Sequence, residues 1–138
     1  MFKKYMEYIG IGIAVIIAAG ITEDLHKDRK VDFIMANPPF YLKGWRKEDE
    51  LTDDYRWRGY SVPRESNANY AWILHMISKL DVSHGIASFL LANGALNDPD
   101  EFEIRKQLLK NDKVEAIIVL PTDMFYTRKH SSEKYHGG

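Results

Sequence analysis

Residues 31–40 read Val31-Asp32-Phe33-Ile34-Met35-Ala36-Asn37-Pro38-Pro39-Phe40, and the change of character after Ala36 decides how the rest of the chain is read. The near-continuous apolar run 31–36 suits a strand buried on both faces, as inside a parallel sheet. Asn37-Pro38-Pro39 must stop that strand. Neither proline has an amide hydrogen, the pair fixes two φ angles, and the residue before a proline is held extended. The result is a stiff turn that presents a side-chain amide and, just beyond it, the ring of Phe40. A rigid clamp for a flat polar ligand needs those parts, and a plain strand stop would use the same prolines.

Two more units of the same kind follow. From Tyr41 to about Asn67 no period of 2 or 3.6 emerges, and a loop this long inside a compact domain is usually functional or disordered. Order returns at Ser66-Asn67-Ala68-Asn69, where any of the polar residues could cap a helix running to about Leu80. Trp72, Ile73, Met76, Ile77 and Leu80 fall on one stripe that should face a sheet. His84-Gly85 turns into a second apolar strand, 86–92 (IASFLLA), which ends at Asn93-Gly94. Asp98-Pro99 then offers a cap and a first-turn proline for an amphipathic helix through Ile104, Leu108 and Leu109. A third strand is predicted at 114–120 (VEAIIVL), closed by Pro121. Strand, helix, strand, helix, strand predicts an α/β fold with a parallel sheet, whose ligands sit beyond the carboxyl ends of the strands. The Asn37 turn lies at such an end.

The bulk numbers set limits. The chain has 138 residues, 45% hydrophobic and 28% charged, which suits one globular domain. Nineteen basic against twenty acidic side chains give a net charge of −1, so a free-standing nucleic-acid binder with a large basic excess is excluded. With no cysteine there is no disulfide, thiolate metal site or cysteine nucleophile, and a cytoplasmic location is the default. His26, His75, His84, His130 and His136 show no compact ligand spacing, and the acidic run from Glu48 to Asp54 reads as solvated, so no metal is assigned. Residues 9–21 (IGIGIAVIIAAGI) form an uncharged run behind Lys3 and Lys4. It is shorter than the roughly 18 to 20 residues of a membrane span, and a buried element, a signal or membrane anchor, and a junction of unrelated sequence all stay open. Residues 129–138 read as a polar tail.

The run Asp32-Phe33-Ile34-Met35-Ala36-Asn37-Pro38-Pro39-Phe40 closely resembles the catalytic motif of adenine-N6 DNA methyltransferases. With Ser66-Asn67-Ala68-Asn69-Tyr70-Ala71-Trp72, Phe89-Leu90-Leu91-Ala92-Asn93-Gly94, and Leu120-Pro121 followed by Met124-Phe125-Tyr126, the chain resembles the modification subunit of type I restriction-modification systems over roughly residues 22–128. The resemblance implies a partial Rossmann-like, S-adenosylmethionine-dependent methyltransferase sheet of three mostly parallel strands with crossover helices, its first half missing. It implies that Asn37, through its side-chain oxygen, and Pro38, through its carbonyl, accept hydrogen bonds from the adenine amino group, on the turn that Pro39 stiffens. Phe40 would stack on the flipped base. Arg46, Arg56, Trp57, Arg58 and Arg64, in the loop behind the turn, become candidates for contacts to phosphates or extruded bases. The implied partners are DNA, the specificity and restriction subunits, and a complementary methyltransferase fragment.

The glycine-rich turn that holds S-adenosylmethionine in such enzymes should lie upstream of Asn37. Gly10-Ile11-Gly12 stands there without the acidic residue that normally follows, so the isolated chain is expected to bind the cofactor poorly. The leading expectation is a truncated or split DNA adenine-N6 methyltransferase. The alternatives are an inactive remnant that keeps a structural or subunit-binding surface, and a small membrane-attached or exported protein.

Overall fold

The computed structural model describes residues 21–121. The sequence readings on 9–20, on Met124-Phe125-Tyr126 and on the 129–138 tail lie outside the described residues. The elements are β1 (Phe33–Ala36), α1 (Asn69–Lys79), β2 (Ile86–Phe89) and α2 (Phe102–Lys110), with 3-10 turns at Tyr55–Trp57, Asn93–Leu96 and Pro99–Glu101. Among the described residues no helix is long and apolar enough to cross a membrane.

β1 and β2 pair in parallel, Phe33 opposite Ile86 and Ala36 opposite Phe89. The ladder runs one bond further at each end, from Ile86 N–H to the Asp32 carbonyl (2.8 Å) and from Leu90 N–H to the Ala36 carbonyl (3.1 Å). Asn37 is therefore the first residue past the sheet. The turn back into β2 depends on Gly85, because a Cβ there would come within 2.6 Å of the Asp81 carbonyl oxygen.

Two sequence expectations are corrected here. The first strand is buried on one face only: Ile34 and Ala36 are buried, whereas Phe33 and Met35 are 61% and 59% exposed. The open side continues on β2 through Ile86, which is half exposed. The third strand is absent from the sheet, which has two strands among the described residues. Residues 114–120 run without strand pairing, and Ile117, Ile118 and Val119 are exposed. A groove of about 850 Å³ lies between this segment and Ile77, Phe89 and Leu108. A strand this rich in apolar side chains is stabilised in a sheet chiefly by burial on both sides, and the side of the sheet that carries Phe33 and Met35 is open among the described residues, so docking removes little apolar surface from water.

α1 departs from its predicted single stripe. Tyr70, Ala71, Trp72, Ile73, Leu74, His75, Met76 and Lys79 are all buried, so the helix is covered nearly all round. The second cover is the loop 41–67, which is ordered rather than free. Trp45 and Trp57 meet edge to face at 6.1 Å, and their indole N–H groups donate to the carbonyls of Arg64 (2.7 Å) and Leu51 (2.6 Å). The 3-10 turn Tyr55–Trp57 packs directly on α1. The helix starts where the sequence places it, but its N-cap is Ala68, which makes no side-chain cap bond, and none of the polar residues takes that position; Asn67 Oδ1 accepts from Asn69 N–H at 3.1 Å just outside it. At the other helix, Asp98 Oδ1 accepts from Asp100 N–H at 3.0 Å and Pro99 opens the turn, as the sequence predicts.

Candidate active site

The Asn37-Pro38-Pro39-Phe40 turn leaves the sheet at the carboxyl end of β1. Pro38 is buried and anchors the turn, while Asn37, Pro39 and Phe40 are exposed, Phe40 by 43%. An anchored centre with an exposed amide and an exposed ring suits a site that meets a ligand from outside. Phe40 is followed by Tyr41, whose N–H donates to Asn69 Oδ1 at 3.1 Å. Leu42 accepts from Ala68 N–H (3.0 Å) and Gly44 donates to the Glu65 carbonyl (2.9 Å). The exit of the turn is thus zipped to the start of α1, a connection that sequence reasoning missed. The pair Asn67 and Asn69 at the helix start was its signal, read only as a choice of caps.

The basic residues of the loop divide. Arg46 donates to the carbonyls of Lys47 (2.7 Å), Glu48 (2.8 Å), Glu50 (3.2 Å) and Pro63 (2.8 Å), and its side chain is 5% exposed. It ties the loop to itself. Arg56 is 3% exposed, bridges both Asp54 carboxylate oxygens (2.8 Å each) and meets His75 Nδ1 at 3.2 Å, with its guanidinium over the Trp57 ring. Trp57 is 2% exposed. Arg46 is therefore spent within the loop, and Arg56 and Trp57 hold the loop on α1, rather than face a phosphate or a base: buried guanidinium groups need such partners, and these have them. Arg58 is exposed, and Arg64, also exposed, pairs with Asp100.

Beneath the loop lies a buried charge cluster. Lys79, fully buried, donates from Nζ to Asp24 Oδ2 (2.6 Å), the His26 carbonyl (2.7 Å) and the Tyr55 hydroxyl (3.0 Å), and Tyr55 donates to Asp24. Burial by itself raises the Asp24 carboxyl, but hydrogen bonds from Lys79 and Tyr55 outweigh it and hold the group at about 2. Burial and the Asp24 carboxylate push Tyr55 upward. These contacts bind residues 21–30, the loop and α1 into one body behind the turn.

Glu101 is the opposite case. It is 2% exposed, and its Oε1 has no hydrogen-bond partner among the described residues. Burial raises its carboxyl to about 7, against the backbone hydrogen bond from Arg64 and with some help from Asp98. The folded chain therefore holds a proton that the unfolded chain has lost above about pH 4.5. That stability is full below about 4.5 and is lost as pH rises through about 7. Glu101→Gln, which keeps the shape without the charge, is expected to be more stable than the unaltered chain at pH 8 by up to about 3 kcal/mol and nearly equal to it at pH 4.5. Urea unfolding at the two pH values checks this; a gap that does not change with pH would contradict it.

The model of the N-6 DNA methylase family matches residues 5–132. The chain belongs to that family. Among similar proteins, the type I restriction enzyme HindI methylase subunit of Haemophilus influenzae is 45% identical over 114 residues, 81% of this chain and 25% of that protein. The MjaIX methylase subunit of Methanocaldococcus jannaschii is 40% identical over 109 residues, 75% of this chain and 19% of that protein. The MjaVII methylase subunit of the same organism is 37% identical over 106 residues. The chain thus spans about a quarter or less of the length of these curated relatives. The resemblance to type I methylase subunits holds, and the family match is wider than residues 22–128.

N-6 DNA methylases in general take the methyl group from S-adenosylmethionine. The described residues of this member do not by themselves fit that cofactor. β1 leaves the sheet through two prolines, which offer no amide hydrogens to a ligand, and the chain after β2 runs into the Asn93–Leu96 turn. Neither is a glycine-rich loop.

Proposed function

We propose that this chain carries the adenine-gripping part of a type I DNA adenine-N6 methylase. The observation that supports this most is the turn itself: Asn37 stands exposed one residue past the last sheet bond and Phe40 stands exposed at the end of the turn, on a backbone that Pro38 and Pro39 keep stiff. The exocyclic nitrogen of adenine is a poor nucleophile because its lone pair is delocalised into the ring. Two acceptors, the Asn37 side-chain oxygen and the Pro38 carbonyl, would draw its hydrogens and pull the nitrogen toward a tetrahedral shape. Acceptors fixed before the base arrives need little reorganisation during the reaction. Phe40 would replace part of the stacking lost when the base leaves the duplex. The proton released on methylation would pass to the acceptors or to solvent.

DNA, a specificity subunit and a restriction subunit are the partners of this reading, and S-adenosylmethionine would be held by residues outside 21–121 or by a complementary methyltransferase fragment. Of the arginines proposed for DNA, Arg58 and Arg64 are exposed and Arg64 pairs with Asp100, so this reading assigns a phosphate contact to Arg58. A cytoplasmic location accords with work on chromosomal DNA. The reading is tested by exchanging the matched 114 residues of the HindI methylase subunit for those of this chain, and measuring N6-methyladenine in the DNA of a strain lacking other adenine methylases. Methylation retained by the chimera supports the proposal. Loss of methylation in a chimera that still assembles would overturn it.

A further inference from the structure

Phe40 joins the rest of the chain through Tyr41, and Tyr41 has φ +53°, in the left-handed region that residues with a Cβ enter only at a cost. Such a conformation persists where its surroundings over-determine it. Two contacts do so here. The Tyr41 N–H donates to Asn69 Oδ1 at 3.1 Å, and the Tyr41 hydroxyl rests on Gly94, where an added Cβ would collide with it.

Asn69 is itself locked. It is 1% exposed, its N–H donates to Asn67 Oδ1 at 3.1 Å, and Asn67 Nδ2 donates to Asp98 Oδ2 at 3.3 Å. The Asn69 Nδ2 is buried without a hydrogen-bond partner among the described residues. An unmade bond of that kind is destabilising, and α1 gains no side-chain cap in return. The carboxamide is placed for its oxygen, and that oxygen grips the residue next to Phe40.

We propose that Asn69 is a positioning residue of the site: by holding the Tyr41 amide, while the Tyr41 hydroxyl rests on Gly94, it fixes the direction in which the turn presents Phe40 and Asn37. The proposal rests on reading the turn as a base clamp, and it adds a residue that touches no part of the base. Asn69→Asp keeps the acceptor oxygen at the first turn of a helix, where a carboxylate is favoured. Asn69→Leu removes it at similar volume. Gly94→Ala attacks the same hold from the other side, and Tyr41→Phe should rescue Gly94→Ala, since the ring carbon lies 3.5 Å from the new Cβ once the hydroxyl is gone.

The test uses the full chain, amide hydrogen exchange at Tyr41, and a DNA duplex carrying 2-aminopurine opposite an abasic site, whose fluorescence is quenched when the base stacks on an aromatic ring. Asn69→Leu is expected to speed exchange at Tyr41 roughly tenfold, the weight of one hydrogen bond. It should also leave the bound probe as bright as Phe40→Ala does, while Asn69→Asp retains both protection and quenching. Gly94→Ala should brighten the probe and Gly94→Ala with Tyr41→Phe should dim it again, which keeps the test intact if Asn69→Leu fails to fold. Unchanged exchange and quenching in Asn69→Leu, or a Gly94→Ala defect that Tyr41→Phe does not relieve, would overturn the proposal. Should the unaltered chain leave the probe unchanged, the base-clamp reading fails, whereas the exchange rate still decides whether Asn69 holds Tyr41.

Discussion

Lys79→Met is expected to cost the chain about 3–5 kcal/mol of folding free energy at pH 7. The unaltered pair is almost wholly out of water, with Lys79 and Asp24 side chains 0% and 4% exposed. Methionine fills a similar space but leaves the Asp24 carboxylate buried without its counter-ion, and it removes the donor to the His26 carbonyl. A domain has only about 5–15 kcal/mol to lose. The pH dependence has a definite sign. In the unaltered chain the Asp24 carboxyl is held at about 2, below its ordinary 3.8, so its contribution is full above about 4 and lost as pH falls toward 2. In Lys79→Met that contribution is gone, and the deficit relative to the unaltered chain should shrink in acid. Urea unfolding at pH 7 and pH 3 measures both. Lys79→Met with Asp24→Leu should recover much of the loss, because an apolar pair of fair fit often replaces a buried ion pair at little cost. A single-variant loss under about 1 kcal/mol would show that the cluster is not what joins residues 21–30 to α1.

Asn37→Ala is expected to lower adenine methylation by about 100- to 1,000-fold in the HindI chimera, the range found when one preorganised polar group is taken from a reacting centre. Alanine keeps the turn, because the prolines that shape it remain and the substituted residue is exposed. The loss should therefore appear in the rate of methylation and not in stability. Asn37→Asp keeps an acceptor oxygen and should retain more activity than alanine. N6-methyladenine in digested DNA, measured alongside thermal melting, separates the two effects. Equal methylation by the alanine variant and the parent chimera would remove Asn37 from the chemistry.

The parts of this molecule that were legible in the sequence are those fixed by local chemistry. The proline pair after Ala36, the Asp98-Pro99 start and the helices over Asn69–Lys79 and Phe102–Lys110 depend on residues within a few positions of one another. What was not legible depends on partners far along the chain. A loop with equal numbers of acidic and basic residues reads as solvated, yet Arg46 and Arg56 are consumed by carbonyls and by Asp54, and Trp45 and Trp57 pin them beneath the surface. Four large anchors, Trp45, Leu51, Trp57 and Tyr60, in a stretch without period were the available hint. The strand at 114–120 was read from an apolar run whose burial needs cover on both faces of the sheet, and Phe33 and Met35 show that one face is open. The amide hold of Asn69 on Tyr41 joins residues 28 apart and has no sequence signature beyond a choice of caps.

The most direct test of the central claim, that Asn37-Pro38-Pro39-Phe40 grips an extruded base, is the fluorescence of the 2-aminopurine duplex bound to the full chain and to its Phe40→Ala variant. Stacking on Phe40 predicts a dim probe on the unaltered chain and a brighter one on the variant at equal occupancy. Identical fluorescence on the two proteins would contradict it.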